Sequence, residues 1–369
     1  MNYHIPRGQK LAEWQPSYAT SHGNGHAIDA TAQQVNGHAN GSTSMGIMGS
    51  GDQTTHQQTL QQTLGGSITA TGVGLHSGEE VTLTLSPAPA DTGIVFRRHD
   101  LADAKNRQTT AIPAHASNVC DLAYNTSICI SDKVRIATIE HLMAALAGAN
   151  VDNAYIDVAG AELPAFDGSA ALFFDMIHKA KIATQATPRK YLKITKPVRV
   201  KSGASHLTIA PSADGLRITT EIAFREPFIG TSQYTYTHSP HNFATELAAA
   251  RTFCLYEDIA SMHTKGYGFG GSLDNAIVIR DGCMLNEMPL RYADEFVRHK
   301  TLDCLGDLRL LGYPLLGHIT AHRPGHRINA KLVKAILADP SVYTLVELKN
   351  ETHATGIDTS TEAPASTAA

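Results

Sequence analysis

A chain of 369 residues, 42% hydrophobic and 17% charged, is long enough for one large domain or two medium ones with real cores. Its formal net charge of −4 argues against bulk nucleic-acid binding, which needs a basic surface. No apolar run is long enough to span a bilayer, and five scattered cysteines without a C-x-x-C pair form neither a disulfide framework nor a zinc knuckle.

Residues 1–63 are rich in Gly, Ser, Thr, Gln, Asn and His, without sustained periodicity. Such a segment cannot bury enough apolar surface to offset its ordering entropy, so a disordered extension is expected. Its histidines (His22, His26, His38, His56) read as solvated, and its first residues lack the apolar stretch of a secretory signal. Met45 and Met48 leave an over-extended start open. A cytoplasmic protein is the simplest expectation from the cysteines.

From residue 64 the pattern changes. Val81, Leu83 and Leu85 alternate with threonines, as a half-buried strand requires. The stretch ITATGVGLHSGEEVTLTLSPAPADTG (68–93) matches ITKPVRVKSGASHLTIAPSADG (194–215) once small gaps are allowed, with a Ser-Gly turn in each. Each copy then passes from strands to helices. The first continues into TIEHLMAALAG and FDGSAALFFDMIHKAKI, where Asp167 is placed to cap the second helix. The second continues through a glycine-rich turn (YGFGGS) and a strand over 276–279 into DEFVRHKTLDCLGDLRLLG and HRINAKLVKAILAD. Strands followed by helices within one unit predict an α+β fold, and two such units predict a pseudo-symmetric pair, each a sheet packed on helices. The expected units are 64–187 and 188–347, with a disordered tail over 348–369. A site between similar halves is a common arrangement.

Within these elements, some residues have chemical potential. Glu140-His141 opens a helix; as a lone dipeptide it reads as a polar helix start, but it also offers a metal ligand beside a general base. His299 and Asp303 share a helix face at i and i+4, which suits either a surface ion pair or a metal clamp. The leucines and valine around them argue that the stripe is partly enclosed. His141, His299 and Asp303 together would give two imidazoles and one carboxylate, leaving a fourth position on zinc for water. Zinc would lower that water's pKa and polarise a carbonyl while Glu140 takes the proton. In AHRPGHRINAKL, Pro324 and Gly325 break any helix between His322 and His326. His326, just before the last helix, is therefore the preferred general acid, with Asp307 orienting it and raising its pKa, and His322 is read as a loop or surface residue.

The motifs TGVGLHSG, TIEHLMAALAG, ELPAFDGSA, RTF, GGSLDNAIV, DEFVRHKTLDCLGDL and PGH occur in this order. As an ordered set they resemble the UDP-3-O-acyl-N-acetylglucosamine deacetylases, zinc amidases of lipid A biosynthesis, over about residues 64–346. The resemblance implies two β-α-α-β two-layer sandwich domains with the active site between them. It implies Zn²⁺ on His141, His299 and Asp303, Glu140 as base, His326 as acid supported by Asp307, and Thr252 stabilising the oxyanion. Phe253 and Lys300 would contact substrate, and His76 would lie near the sugar or simply occupy its turn. An insert over 255–279 would form an apolar passage for the acyl chain. The family often has glycine after RTF, where this chain has Cys254, which bears on chain preference and not on the metal chemistry.

The expected partner is an acylated UDP-amino-sugar, met in transient contact with a membrane surface by a monomer without a transmembrane anchor. Two other readings stay open: a zinc amidase for another N-acetyl sugar nucleotide, and a non-catalytic sugar-nucleotide or lipid-binding protein.

Overall fold

The computed structural model describes residues 2–3, 59–101 and 110–348. The expectations made for the rest of residues 1–58 and for the tail beyond 348 lie outside the described residues. The fold is α+β. Five longer helices are labelled α1 (Glu140–Gly148), α2 (Ala171–Lys179), α3 (Tyr256–Thr264), α4 (Glu295–Leu308) and α5 (His326–Ala338).

The duplication read in the sequence has a topological counterpart. In the first half the strands Ile68–Val73, Glu80–Pro87, Ala154–Ala159 and Ile94–Arg98 are neighbours in that order. In the second half Val198–Ser202, Ser205–Ala210, Leu315–His322 and Leu216–Ala223 repeat the order. In both, the third of these strands pairs antiparallel with the second and parallel with the fourth. The strand Glu80–Pro87 alternates as its sequence predicts, burying Val81, Leu83 and Leu85. One apolar cluster runs through both halves, from Leu64 to Ile336, so no gap in packing separates them.

Two expectations need correction. Leu60–Leu64 (LQQTL) is not part of a disordered extension but a strand antiparallel to Ile182–Pro188. Two of its polar side chains are buried and bonded: Gln61 Nε2 donates to Asp91 at 2.8 Å and Thr63 Oγ1 to the carbonyl of Asn153 at 2.8 Å. Asn2–Tyr3 likewise pairs with Thr69 and Ala70. Asp167 does not cap α2 directly; its Oδ1 accepts from Ser169, whose hydroxyl accepts from the Ala171 N–H at the helix start.

The expected insert is a small β-α-β layer somewhat longer than 255–279. Phe253–Leu255 pairs with Ile277–Arg280, which pairs with Cys283–Met284, and α3 lies between the first two strands. His322 ends a strand rather than lying in a loop, and its ring stacks on His206 at 4.8 Å.

Candidate metal centre and active-site cavity

Helices α1 and α4 pack side by side because Gly306 has no side chain: a Cβ there would lie 2.1 Å from the Glu140 carbonyl. That close approach brings Glu140-His141 against the stripe of α4. All nine residues of α1 are buried, and so are His299, Asp303 and Asp307. Neither a solvated helix start nor a surface ion pair describes these groups.

The turn before α1 is strained. Thr138, a β-branched residue, has φ 59°, a left-handed conformation seldom tolerated by such side chains. Its hydroxyl donates to Glu162 Oε1 at 2.8 Å. The same carboxylate accepts from the N–H groups of His76 and Ser77 at 2.9 and 2.8 Å. Glu162 thus ties the GLHSG turn to the start of α1.

His141 Nε2 and His299 Nε2 lie 3.5 and 3.3 Å from Asp303 Oδ1. One ligand atom from each of the three side chains lies within 4.8 Å of the others. His299 Nδ1 is 3.1 Å from the carbonyl of Ala250, which holds the proton on that nitrogen and leaves Nε2 free. Burial pushes the His299 pKa down to about 3, so the ring is neutral. Burial alone would raise Asp303, but its carboxyl is held well below the usual range, with the Lys300 ammonium 2.7 Å from its Oδ2. Asp303 Oδ1 is nonetheless buried without a hydrogen-bond partner among the described residues. An anionic oxygen orphaned between two imidazoles is the donor set of a cation, and two nitrogens with one oxygen suit a transition metal.

Beside this group lies an acid–base pair. Glu140 Oε2 accepts from the Thr126 N–H at 3.0 Å, and Oε1 is 3.8 Å from His326 Nε2. Burial raises the Glu140 pKa against the opposing pull of His326 and His141. At His326 burial favours the neutral ring, but Asp307 and Glu140 outweigh it and lift the pKa to about 9. Asp307 Oδ2 is 3.0 Å from His326 Nδ1. Two residues that sequence reasoning missed complete the support. Thr126 Oγ1 donates to Asp307 Oδ1 at 2.6 Å, and Asn329 Nδ2 donates to Oδ2 at 2.8 Å.

Every other residue nominated from the sequence shares one cavity of about 290 Å³, with Asp307 standing behind His326. Thr252 is fixed through its backbone, its N–H on Gly168 and its carbonyl on the Ile277 N–H, both at 2.8 Å. Lys300 reaches Asp303 Oδ2 at 2.7 Å and lies 5.5 Å over the Phe253 ring. His76 is buried with both ring nitrogens unpartnered among the described residues, its ring edge-on to Tyr267 at 5.2 Å. One wall is apolar, built by Phe224 and by Leu255, Ile259 and Met262 around the start and face of α3. A Cβ on Gly270 would sit 2.0 Å from the Gly74 carbonyl, so this glycine lets the insert close onto the GLHSG turn.

An α+β scaffold holding two histidines and a carboxylate next to a carboxylate–imidazole pair defines the class of metal-dependent hydrolases. Residues 61–338 match the family model of UDP-3-O-acyl N-acetylglycosamine deacetylase (LpxC), and the chain belongs to that family of metalloamidases. It is 46% identical over 288 residues to the UDP-3-O-acyl-N-acetylglucosamine deacetylase of Citrifermentans bemidjiense, covering 78% of this chain and 92% of that protein. The proteins of the same name from an Anaeromyxobacter species and from Shewanella oneidensis are 43% and 42% identical, covering 79% and 80% of this chain and 93% and 95% of theirs. Among the described residues no helix is long and apolar enough to cross a membrane.

Proposed function

We propose that this chain is a zinc-dependent deacetylase that hydrolyses the N-acetyl amide of UDP-3-O-acyl-N-acetylglucosamine, giving the free amine and acetate in lipid A biosynthesis. The observation that carries the reading is the orphaned Asp303 Oδ1 between His141 and His299, with Glu140 and His326 on the same cavity. His141, His299 and Asp303 would hold the zinc, which when bound supplies Lewis acidity toward a water and the acetyl carbonyl. Glu140, its pKa raised by burial, takes a proton from the attacking water. His326, kept protonated by Asp307 and Glu140, delivers a proton to the departing nitrogen. Thr252 lines the cavity where the oxyanion would form, and Lys300, Phe253 and His76 border the space for the sugar nucleotide.

The wall of Phe224, Leu255, Ile259 and Met262 supports an acyl passage, since an apolar arm on the substrate would bury apolar surface there. In the same reading the halves 64–187 and 188–347 are the two sandwich units, and the enzyme is a cytoplasmic monomer that meets its acylated substrate at a membrane surface. Acetate release from the acylated substrate, assayed after chelation and after zinc return, tests the proposal. Activity should vanish and come back. Equal turnover of UDP-N-acetylglucosamine without the acyl chain would instead identify an amidase of another sugar nucleotide, and full activity in the chelated protein would refute the metal assignment.

A further inference from the structure

Behind the catalytic centre lies a second cavity of about 330 Å³ that shares no lining residue with the first. Its size falls in the range of small-molecule sites, roughly 300–1,000 Å³. Much of its wall is apolar, with Leu216, Leu305, Leu308 and Leu315 contributing. Two guanidiniums also line it, Arg189 and Arg309, which are 3% and 7% exposed.

Among the described residues one carboxylate stands between them. Asp152 Oδ1 is 2.9 Å from Arg189 Nε and 3.5 Å from Arg309 Nη2. Arg309 Nη2 also donates to the Val151 carbonyl at 2.9 Å, while Nε and Nη1 are buried without a partner among the described residues. A desolvated charge is costly unless it is paired and hydrogen-bonded, and one carboxylate cannot neutralise two guanidiniums. His238 reports the sign of the field: burial, Arg189 and Arg309 push its pKa down to about 4, so it stays neutral. The carboxylate that lines this cavity, Asp214, is exposed and lies 3.6 Å from Arg217. Both arginines also border a polar cavity, which holds Asp91, Asp152 and Lys190. Toward the apolar cavity the two guanidiniums face no buried carboxylate among its lining residues.

We infer that this cavity binds a small organic anion, a carboxylate or phosphate head on an apolar arm, with the head on Arg309 and Arg189 and the arm against Leu216, Leu305 and Leu308. Calorimetric titration of the metal-loaded full chain with octanoate, octyl phosphate, octanol and inorganic phosphate tests this. Octanoate or octyl phosphate should bind at a site that survives Met262→Trp, and whichever binds tighter there identifies the head group. Octanol and inorganic phosphate should bind at least tenfold more weakly. Arg309→Gln should weaken the amphiphile at least tenfold. His241→Trp, at an exposed position on the cavity wall, should do the same without disturbing the buried pair, and so keeps the test valid if Arg309→Gln does not fold. Met262→Trp, which narrows the catalytic cavity, should leave binding unchanged. No binding by either amphiphile, equal binding by octanol, binding of inorganic phosphate as tight as octyl phosphate (an adventitious ion only), unaltered binding in His241→Trp, or loss in Met262→Trp would each overturn it.

Discussion

Two buried charge clusters lie along the same pair of helices, and they are unbalanced in opposite directions. Around the candidate metal site the carboxylates of Glu140, Asp303 and Asp307 outnumber Lys300 and a protonated His326 by one. Behind it Arg189 and Arg309 share Asp152, one negative charge too few. Each cluster also contains an orphaned polar atom, Asp303 Oδ1 in one and Arg309 Nε in the other. Interiors satisfy their polar groups almost without exception, so the sign of the residual charge states the sign of the missing partner. The first cluster calls for a cation and the second for an anion.

The largest effects should come from removing that distinction. Asp303→Ala takes away the anionic ligand, and metal content of the purified protein should fall to background while Arg309→Gln keeps it. Acetate release should drop by roughly 10³ or more, beyond the 10–100-fold typical of losing an outer partner of a metal ligand. Metal retained at the wild-type level in Asp303→Ala would break the comparison. Next in size, Glu140→Gln and His326→Gln should lower kcat by roughly 10²–10⁴ with the metal still bound. In the wild type kcat/KM should fall on the acid side as Glu140 takes up a proton and on the alkaline side as His326 loses one. The alkaline limb should be missing from His326→Gln.

The cluster around Asp303 was legible in the sequence and the arginine pair was not. His299, Asp303 and Asp307 announce themselves because fourth-residue spacing on a helix is a local rule. Asn329 follows His326 by three residues, which on a helix places it on the same face, and there it meets Asp307. Thr126 carries no such signal: it sits in the hairpin YNTSICI and meets Asp307 only through tertiary packing. Arg189 and Arg309 look like ordinary solvated charges, since nothing local says that Asp152 and the end of α1 will enclose them. The duplicated strand order was readable as a repeat, but Leu60–Leu64 was hidden because composition averages over Gln and Thr, and their burial depends on Asp91 and Asn153 far along the chain. Local periodicity was visible; desolvation produced by distant contacts was not.

The clusters should also differ in how the metal-free protein responds to pH. The folded pKa of His326, about 9, is above its ordinary 6.5, so its contribution is complete below pH 6.5 and is lost as pH rises toward 9. His299 and His238, at about 3 and 4, lie below 6.5, so the unfolded chain takes up their protons first and stability drains as pH falls. Asp303 adds to the loss at still lower pH, where its depressed carboxyl finally protonates. Urea unfolding of the metal-free chain should therefore show a maximum near pH 6.5, with each limb worth on the order of a few kcal/mol. His326→Gln should flatten the limb between pH 6.5 and 9, whereas Arg309→Gln should leave it intact because a guanidinium does not titrate there. A limb unchanged in His326→Gln would show that the histidine carries no excess proton.

The smallest effect discriminates most finely. Thr126→Val keeps the shape of the side chain and the N–H that meets Glu140, and removes only the hydroxyl that donates to Asp307. Losing one donor to a buried carboxylate costs about 1–3 kcal/mol of stability, and kcat should fall about tenfold as Asp307 holds His326 less firmly. KM should not move, because Thr126 does not line the cavity. The alkaline limb of the pH profile should move, because the hydroxyl touches both partners of the acid: it donates to Asp307 and lies 3.2 Å from His326 Nδ1. A purely packing role for Thr126 would lower stability and leave that limb where it was. A shift would mark the hydroxyl as part of what tunes the proposed acid, in a cluster dense in donors around Asp307, whereas the arginine pair is short of acceptors.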